Sequence, residues 1–216
     1  MAVADPIVIR SHGANLYAVK MRDGLLLVDA GWPNSLPELR AGLDEAGLRL
    51  SAIRYVVTTH AHPDHAGLMQ KLKSYCGARL LVHEVQRDSL EELNRFFVRK
   101  PDRDFEPIAI DAADLVVGSP SWEALRAIGV DGEILETPGH SDDSVSLLLS
   151  AGDAFTGDLT RPDMATQEQA AAVAASWRLL LERGAVRIWP GHGGPYAAAA
   201  IEELLGSRGW TGGQRD

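Results

Sequence analysis

The sequence predicts an α/β domain, and three observations indicate this fold class. Short apolar runs of strand length alternate along the chain with longer segments in which apolar residues recur at helical spacing. Hydrophobic residues make up 45% of the 216 residues, which is enough to bury a sizeable core in one domain. The sequence contains no repeat of short period and no low-complexity tract. We therefore expect a single domain over residues 1–216.

The predicted strands are apolar runs bounded by turn residues, and the predicted helices carry an apolar face. Strands are expected over residues 7–10, 15–20, 25–29, 54–58, 79–83, 115–117, 133–136, 144–149, 154–156 and 186–189. Helices are expected over residues 36–46, 64–75, 84–98, 166–182 and 197–205. The alanine-rich stretch 170–175 belongs to a helix rather than to a linker, because alanine is the strongest helix former.

A histidine-rich hexapeptide follows the predicted strand 54–58. Residues 60–65 read His-Ala-His-Pro-Asp-His, and they hold three of the seven histidines of the chain. Imidazole nitrogen and carboxylate oxygen are ligands that borderline cations such as Zn²⁺ prefer. A strand that ends in such a cluster delivers several ligands to one point on the rim of a sheet. The hexapeptide therefore predicts a metal site rather than a histidine-rich surface turn.

Three further candidate ligands lie in later loops, each directly after an apolar run. They are His140 in Thr-Pro-Gly-His, Asp158 in Thr-Gly-Asp, and His192 in Pro-Gly-His. Glycine and proline beside each ligand mark tight turns at strand ends. Each sequence taken alone is typical of an ordinary turn, whereas the three together, in this order after the hexapeptide, form a set.

This set resembles the pattern of the metallo-β-lactamase superfamily, and the likeness extends from the strand at 25–29 to His192. Its motifs are His-x-His-x-Asp-His, Thr-Pro-Gly-His, Thr-Gly-Asp and Pro-Gly-His. The resemblance implies a four-layer αβ/βα sandwich, with two sheets inside and helices outside. It also implies a core similar to those of glyoxalase II and lactonase enzymes, with a dinuclear metal site.

The resemblance assigns the metal ligands residue by residue. One metal is expected to bind His60, His62 and His140, and the other Asp64, His65 and His192, with Asp158 bridging both beside a water or hydroxide. Asp64 and Asp158 are accordingly the expected catalytic carboxylates. Asp29 matches a family residue that orients ligands without binding metal. Two divalent ions are expected, with Zn²⁺ favoured and Fe²⁺ or Mn²⁺ as alternatives.

The resemblance implies a hydrolase of a small ester, lactone or thioester. Two cations about 3.5–4 Å apart hold both the attacking and the leaving oxygen, and a metal lowers the pKa of water to about 7. No serine or cysteine nucleophile is then needed, and the single cysteine, Cys76, is expected to fill space in a buried position. The same site fits phosphodiesters, phosphotriesters and β-lactams. An iron-dependent persulfide dioxygenase and a non-catalytic metal-binding protein are the alternatives from other classes.

Residues 84–118 carry no motif ligand and are expected to form a lid that sets substrate choice. Phe96, Phe97 and Arg99 are candidate substrate contacts there. The alternative is an ordinary helix that packs its phenylalanines on the sheet. His12, between the first two strands, is a further candidate contact, with a plain hairpin turn as the alternative.

Three other polar residues are expected to have structural or solvated positions. His83 ends a strand and is expected to be a buried structural histidine. Asp142 and Asp143 follow His140, and we expect a solvated turn there, with a hydrogen bond to an imidazole as the alternative.

The net charge of −9 argues against a nucleic-acid-binding surface. No apolar run reaches the length of about 18 residues that a membrane span needs, and residues 1–6 lack the pattern of a signal peptide. After His192 the sequence predicts a short helix and a polar tail that includes Trp210, without the helical glutathione-binding domain of glyoxalase II. We therefore expect a cytoplasmic protein with a small-molecule substrate and no nucleic-acid or membrane partner. The sequence leaves the oligomeric state open.

Overall fold

The computed structural model describes residues 5–207. Residues 1–4 and the predicted polar tail with Trp210 lie outside the described residues. Within the described range the chain forms two β-sheets, one of six strands and one of five. None of the helices in this range combines the length and the apolar character that crossing a membrane requires.

The first sheet comes from the amino-terminal half of the chain. Its elements are β1 (Ile7–Ser11), β2 (Ala14–Met21), β3 (Gly24–Val28), α1 (Leu36–Glu45), β4 (Ile53–Val57), α2 (Pro63–Ala66), α3 (Met69–Cys76), β5 (Arg79–His83), α4 (Arg87–Arg99) and β6 (Leu115–Val117). The strands lie in the order β1-β2-β3-β4-β5-β6, antiparallel from β1 to β3 and parallel from β3 to β6.

The second sheet comes from the carboxyl-terminal half. Its elements are α5 (Trp122–Ala127), β7 (Gly132–Glu136), β8 (Val145–Leu149), β9 (Asp153–Gly157), α6 (Ala170–Glu182), β10 (Arg187–Pro190), β11 (Tyr196–Ala197) and α7 (Ala199–Ser207). The strands lie in the order β11-β10-β9-β8-β7, and β9 and β10 run parallel. Since β7 and β9 are both antiparallel to β8, the carboxyl ends of β7, β9 and β10 share one edge of the sheet.

The buried side chains divide into three apolar clusters that define the layers. Along β3, Leu25 and Leu27 belong to the cluster shared with α1, α3 and α4, whereas Leu26 and Val28 belong to the cluster between the sheets. The third cluster joins the second sheet to α6 and α7. Successive side chains of a strand point to opposite faces, so a continuous apolar run indicates a strand buried on both faces. The predicted αβ/βα sandwich is confirmed.

The predicted helix 64–75 is divided into α2 and α3. The carbonyl of His65 accepts a hydrogen bond from the Ala30 amide, from outside the helix, at 2.6 Å. Gly67 packs so closely on the loop after β3 that a Cβ there would approach the Pro33 nitrogen at 2.5 Å. The division therefore presses the ligand-bearing turn against the end of β3.

Other helix boundaries also differ from the sequence prediction. Residues 84–86 form a 3₁₀ turn before α4, and α6 begins only at Ala170, because the Gln169 side chain binds back to Thr166. The last predicted helix begins at Ala199, because Tyr196–Ala197 pairs with β10 instead. The short helix α5 was not predicted.

The loop after α4 is attached to its neighbouring helices rather than free. The Asn94 side chain accepts from the Ile108 amide at 2.8 Å and donates to the Ile108 carbonyl at 2.9 Å. Lys73 on α3 forms an ion pair with Asp111 at 2.8 Å. Residues 84–118, the expected lid, thus comprise the 3₁₀ turn, helix α4, a loop fastened to α3 and α4, and strand β6, which pairs with β5 in the first sheet.

Candidate metal centre

The motif residues meet at one edge of the sandwich, where strands of both sheets end. The hexapeptide follows β4, and Asp29 follows β3 in the same sheet. The other three candidate ligands, His140, Asp158 and His192, follow β7, β9 and β10 of the second sheet. Each sheet therefore contributes part of a single cluster.

The first ligand group consists of His60, His62 and His140. The Nε2 atom of His60 lies 3.0 Å from Nδ1 of His62, and Nε2 of His140 lies 3.1 Å from the same atom. Three ring nitrogens that converge in this way resemble ligands around one tetrahedral cation, whose Zn–N bonds measure about 2.0–2.1 Å.

The second ligand group consists of Asp64, His65 and His192. Oδ2 of Asp64 lies 3.3 Å from Nε2 of His192 and 3.6 Å from Nε2 of His65. This group joins two nitrogens to one carboxylate oxygen, so its donor set also suits a borderline divalent cation.

Asp158 lies between the two groups. Its Oδ1 is 3.4 Å from Nε2 of His65, and its Oδ2 is 3.4 Å from Nε2 of His192. The same Oδ2 is 3.9 Å from Nε2 of His140, a member of the first group. One carboxylate thus faces donors of both groups, which is the position that a bridging ligand needs.

Two buried atoms test whether the residues fit a metal. Nε2 of His65 and Oδ1 of Asp158 are buried and have no hydrogen-bond partner. A buried polar atom without a partner costs free energy, commonly about 1–3 kcal/mol. A divalent cation bound by both atoms would remove this cost, so the residues fit a metal site.

The electrostatics of the cluster also suit a cation. Burial, with the nearby charge of His65, lowers the pKa of His60 to about 2, so His60 is neutral as a ligand must be. Burial also lowers the pKa of His65, but the negative charges of Asp29 and Asp158, with the hydrogen bond to Asp29, outweigh it and raise the pKa to about 10. Burial raises the pKa of Asp158, but the positive charge of His65, whose Nε2 lies 3.4 Å from Oδ1, holds it well below its usual range. The two carboxylates therefore stabilise a positive charge at this position.

Asp29 is buried behind the candidate ligands and contacts one of them, His65, on the side of its ring that carries Nδ1. It accepts hydrogen bonds from the Thr59 amide at 2.7 Å and the Thr59 hydroxyl at 3.0 Å, and it lies 2.9 Å from Nδ1 of His65. Its φ of 61° is in the left-handed region, which among residues other than glycine is most accessible to asparagine and aspartate. Asp29 is therefore held by the Thr59 hydrogen bonds in a position from which it orients the His65 ring.

The loop that carries His192 is fastened to β2 by residues that the sequence did not indicate. The Asn15 side chain donates to the carbonyls of Pro190 and Gly193, both at 2.9 Å. The Tyr17 hydroxyl donates to the Pro190 carbonyl at 2.5 Å. Both residues lie in an ordinary apolar strand, so no motif marks them.

Gly191 explains the glycine of the Pro-Gly-His motif. A Cβ at this position would collide with Oδ1 of Asp158 and approach Cε1 of His65 at 2.6 Å. The backbone before His192 therefore packs directly against two candidate ligands, which only glycine permits.

The sequence-predicted substrate contacts have different positions in the structure. Phe97 is only 8% exposed and belongs to the apolar cluster that the first sheet shares with α1, α3 and α4. Its ring stacks on that of Phe105, with the ring centroids 3.9 Å apart, so it does not reach the ligand groups. Phe96 and Arg99 line a groove beside them. His12 lies in the exposed β1–β2 turn, with its Nε2 3.4 Å from Glu38.

The residues expected to be structural or solvated are partly as predicted. His83 is buried, with its Nε2 3.2 Å from the Ser119 hydroxyl. Cys76 is half-buried and donates to the Leu72 carbonyl. Asp142 is exposed, but the prediction of a solvated turn is wrong for Asp143, which is buried and binds the Ala61 amide at 2.8 Å.

The groove beside the ligand groups has a volume of about 640 Å³, within the range of small-molecule sites. His62 and Asp64 form one side of it, and Leu93, Phe96 and Arg99 of α4 form another. The ligands are thus open to a small molecule that enters along α4.

Comparison with known proteins agrees with this geometry. A family model described as the metallo-β-lactamase superfamily matches residues 10–192. The chain is 29% identical to the beta-lactamase-like protein 2 homolog of Caenorhabditis elegans over 89% of this chain and 60% of the relative. It is 27% identical to "Probable metallo-hydrolase YqjP" of Bacillus subtilis (strain 168) over 89% of this chain and 70% of the relative. The chain spans 60%, 64% and 50% of the lengths of three relatives that it matches.

Solved structures share the fold at low sequence identity. The metallo-beta-lactamase family protein TTHA1429 from Thermus thermophilus aligns with a TM-score of 0.66 at 24% identity, over 94% of this chain and 78% of that one. The native FEZ-1 metallo-beta-lactamase from Legionella gormanii aligns with a TM-score of 0.68 at 16% identity, over 89% and 78%. At such identities these structures bear on the fold alone.

Proposed function

Because the chain belongs to the metallo-β-lactamase superfamily, we propose that it is a dinuclear metal-dependent hydrolase that cleaves an ester, lactone or thioester in a small molecule. The relative YqjP, whose name describes a metallo-hydrolase, supports the reaction class. Zn²⁺ is the proposed metal, with Fe²⁺ or Mn²⁺ as alternatives, because the donors are imidazoles and carboxylates. The cytoplasmic location stays a prediction from the sequence.

The observation that carries the proposal is the pair of complete ligand groups around one carboxylate. Each group offers three donors within 4.8 Å of one another, and Asp158 faces both groups. A protein that held a single metal would not require the second group of two imidazoles and a carboxylate. A site with two cations is therefore the simplest account of all seven side chains.

The chain's own residues would orient the reaction rather than supply a covalent nucleophile. Two divalent cations, when bound, lower the pKa of water and polarise a carbonyl oxygen. His60, His62 and His140 would hold one cation, and the second ligand group the other. Asp158 would keep the two sites at a constant spacing, and Asp29 would hold His65 in the orientation that presents Nε2.

The groove supports a substrate with an uncharged acyl or alkoxy portion. Leu93 and Phe96 give it an apolar side, and among its described lining residues Arg99 is the one with a permanent positive charge. Glu92 already binds Arg99 at 2.6 Å, and the same hydrogen bond lowers the pKa of Glu92. A substrate carboxylate, as in β-lactam antibiotics, would therefore find no free cationic side chain there. We rank uncharged esters and lactones above β-lactams for this reason.

Substitutions in the groove should separate binding from chemistry. We expect Phe96→Ala to raise KM about tenfold for esters with apolar acyl groups, since burying such a group contributes about 1–3 kcal/mol. Glu92→Gln should free Arg99 from its ion pair and so lower KM, but only for substrates that carry a carboxylate. The expected change is about two- to fivefold, which corresponds to the free energy of an exposed ion pair. Steady-state kinetics on matched neutral and anionic esters, with metal content measured on each variant, checks both. Val98→Ala, on the exposed side of α4, is the control. Unchanged kinetics in both variants would move the substrate site elsewhere.

The reaction class is tested by excluding oxygen. Hydrolysis consumes water and changes no oxidation state, whereas a persulfide dioxygenase consumes O₂ and needs iron. We expect turnover of esters, lactones or thioesters to be unchanged under strict anaerobiosis, with zinc or manganese in the site. A panel that adds phosphodiesters and a β-lactam identifies the bond cleaved. Oxygen uptake coupled to glutathione persulfide turnover, supported by iron alone, would overturn the hydrolase proposal.

A further inference from the structure

Asp143 is a buried carboxylate that the proposed chemistry does not use. Asp143 lies between His140 and β8 in the sequence and is 5% exposed. Its Oδ2 accepts a hydrogen bond from the Ala61 amide at 2.8 Å, and its Oδ1 accepts one from the Ser141 hydroxyl at 2.7 Å. Both oxygens therefore accept hydrogen bonds within the protein, and Asp143 belongs to neither ligand group although it lines the groove beside them.

The bond to Ala61 joins the two sheets at the metal centre. Ala61 stands between His60 and His62 in the loop that follows β4 of the first sheet, whereas Asp143 belongs to the loop that follows β7 of the second. A second hydrogen bond between the same two sheets lies close to it in sequence: the Val145 amide donates to the Thr59 carbonyl at 2.8 Å. Two hydrogen bonds thus attach the loop of His140 and the first residue of β8 to the loop that carries His60 and His62.

These contacts bear on one ligand group more than on the other. The first group takes His60 and His62 from one loop and His140 from the other, so its geometry depends on how the loops are joined. The peptide that donates to Asp143 is the one between His60 and Ala61. In the second group, His65 is held by Asp29 and His192 by the Gly13 carbonyl, at 2.9 Å and 2.8 Å.

We propose that Asp143 is a positioning residue for the first ligand group, which it assembles by binding the Ala61 amide across the sheet interface. The inference rests on the proposed metal site, and it concerns metal affinity rather than the bond cleaved. Partners that orient metal ligands commonly contribute about 10–100-fold to metal affinity or activity. Asparagine retains an oxygen that can accept from Ala61 and an amide that can donate to Ser141. The hydrogen-bond acceptor, rather than the negative charge, is therefore the feature that matters.

The experiment measures Zn²⁺ binding to metal-free protein by titration calorimetry, with each ligand group isolated in turn. His192→Ala weakens the second group and leaves the first for study, and His140→Ala does the reverse. In the His192→Ala background we expect Asp143→Ala to weaken Zn²⁺ binding about 10–100-fold and Asp143→Asn less than about threefold. In the His140→Ala background we expect both to have less than about a twofold effect. In metal-free protein, the Ala61 amide should exchange its hydrogen at least about tenfold faster in Asp143→Ala than in the parent protein, because the amide loses its acceptor. Asp143→Asn should not show this increase.

A matched control separates positioning from general stability. Asp153 is also a buried carboxylate, but it binds Trp189 and Arg187 at the start of β9, the end of that strand away from the ligands. Asp153→Ala should leave Zn²⁺ affinity within about twofold of the parent. If Asp143→Ala does not fold, Asp143→Ser is used instead. The serine side chain is polar, but it is too short for its oxygen to reach the Ala61 amide. The proposal would be overturned if Asp143→Ala weakened Zn²⁺ binding equally in both backgrounds. It would also be overturned if Asp143→Asn or Asp153→Ala weakened Zn²⁺ binding as much as Asp143→Ala does. Because no readout uses turnover, a failure of the hydrolase assignment would remain distinguishable.

Discussion

Asp158→Ala is expected to lower kcat/KM on the order of 1000-fold, or about 4 kcal/mol, more than any other single ligand substitution. The reason is its position, since its two oxygens lie within 3.4–3.9 Å of His65, His192 and His140. In the proposed two-metal site, loss of this carboxylate would leave the repulsion between the cations less neutralised and would remove the group that sets their spacing. We expect the variant to retain about one metal equivalent instead of about two.

The measurement is metal content by elemental analysis together with kcat and KM for alanine variants of all seven ligands. Asp158→Asn tests the charge with the shape nearly retained. Asp44→Ala, an exposed carboxylate on α1, is the control for a general effect of removing an acid. An Asp158→Ala protein with two metals and a near-normal rate would remove the bridging role.

Removal of the metal should have the largest effect on the whole protein. Chelation is expected to reduce hydrolysis to the uncatalysed background and to lower Tm by about 5–10 °C. The Tm change follows because a ligand present at about 100 times its Kd stabilises the folded state by about 2.7 kcal/mol, and a domain of this size shifts by about 2–4 °C per kcal/mol. The physical cause is local, since Nε2 of His65 and Oδ1 of Asp158 would again be buried without partners.

Protein purified without chelator should contain close to two equivalents of zinc, iron or manganese per chain. Differential scanning calorimetry and activity assays before and after dialysis, then after adding back each metal, give both readouts. Mg²⁺, which prefers oxygen ligands, is the control and should restore neither property. Full activity in protein shown to be free of metal would refute the proposed chemistry.

The secondary-structure elements and the candidate ligand loops were predictable for different reasons. Alternation of apolar runs with helical patterns depends only on near neighbours in sequence, so the strands β1 to β10 were found within a few residues of their observed bounds, whereas β11 was missed. The ligand loops were recognisable because several donors crowd into residues 60–65 and because glycine and proline stand beside the later ones. At Gly191 the structure supplies the cause, since any side chain would collide with Asp158.

The differences from the sequence prediction depend on contacts that residue type and periodicity do not show. Phe97 resembles a candidate substrate contact until Phe105, brought back by the loop after α4, covers it. Arg99 lines the groove beside the ligand groups, but its ion pair with Glu92, on the same helix, is not evident from the sequence. The predicted helix 64–75 has adequate propensity throughout, yet the Ala30 amide binds the His65 carbonyl and the helix is divided.

The sequence by itself determined the fold class, the order of the strands along the chain and the identity of the candidate ligands, because turn chemistry and local periodicity are encoded over short spans. Only the tertiary structure decided which donors converge and what holds them. The bond from Ala61 to Asp143 joins positions 82 residues apart, and the bond from Asn15 to Pro190 joins positions 175 apart. Such pairs leave no periodic signal, because their proximity arises only when the two sheets pack and bury the interface between them.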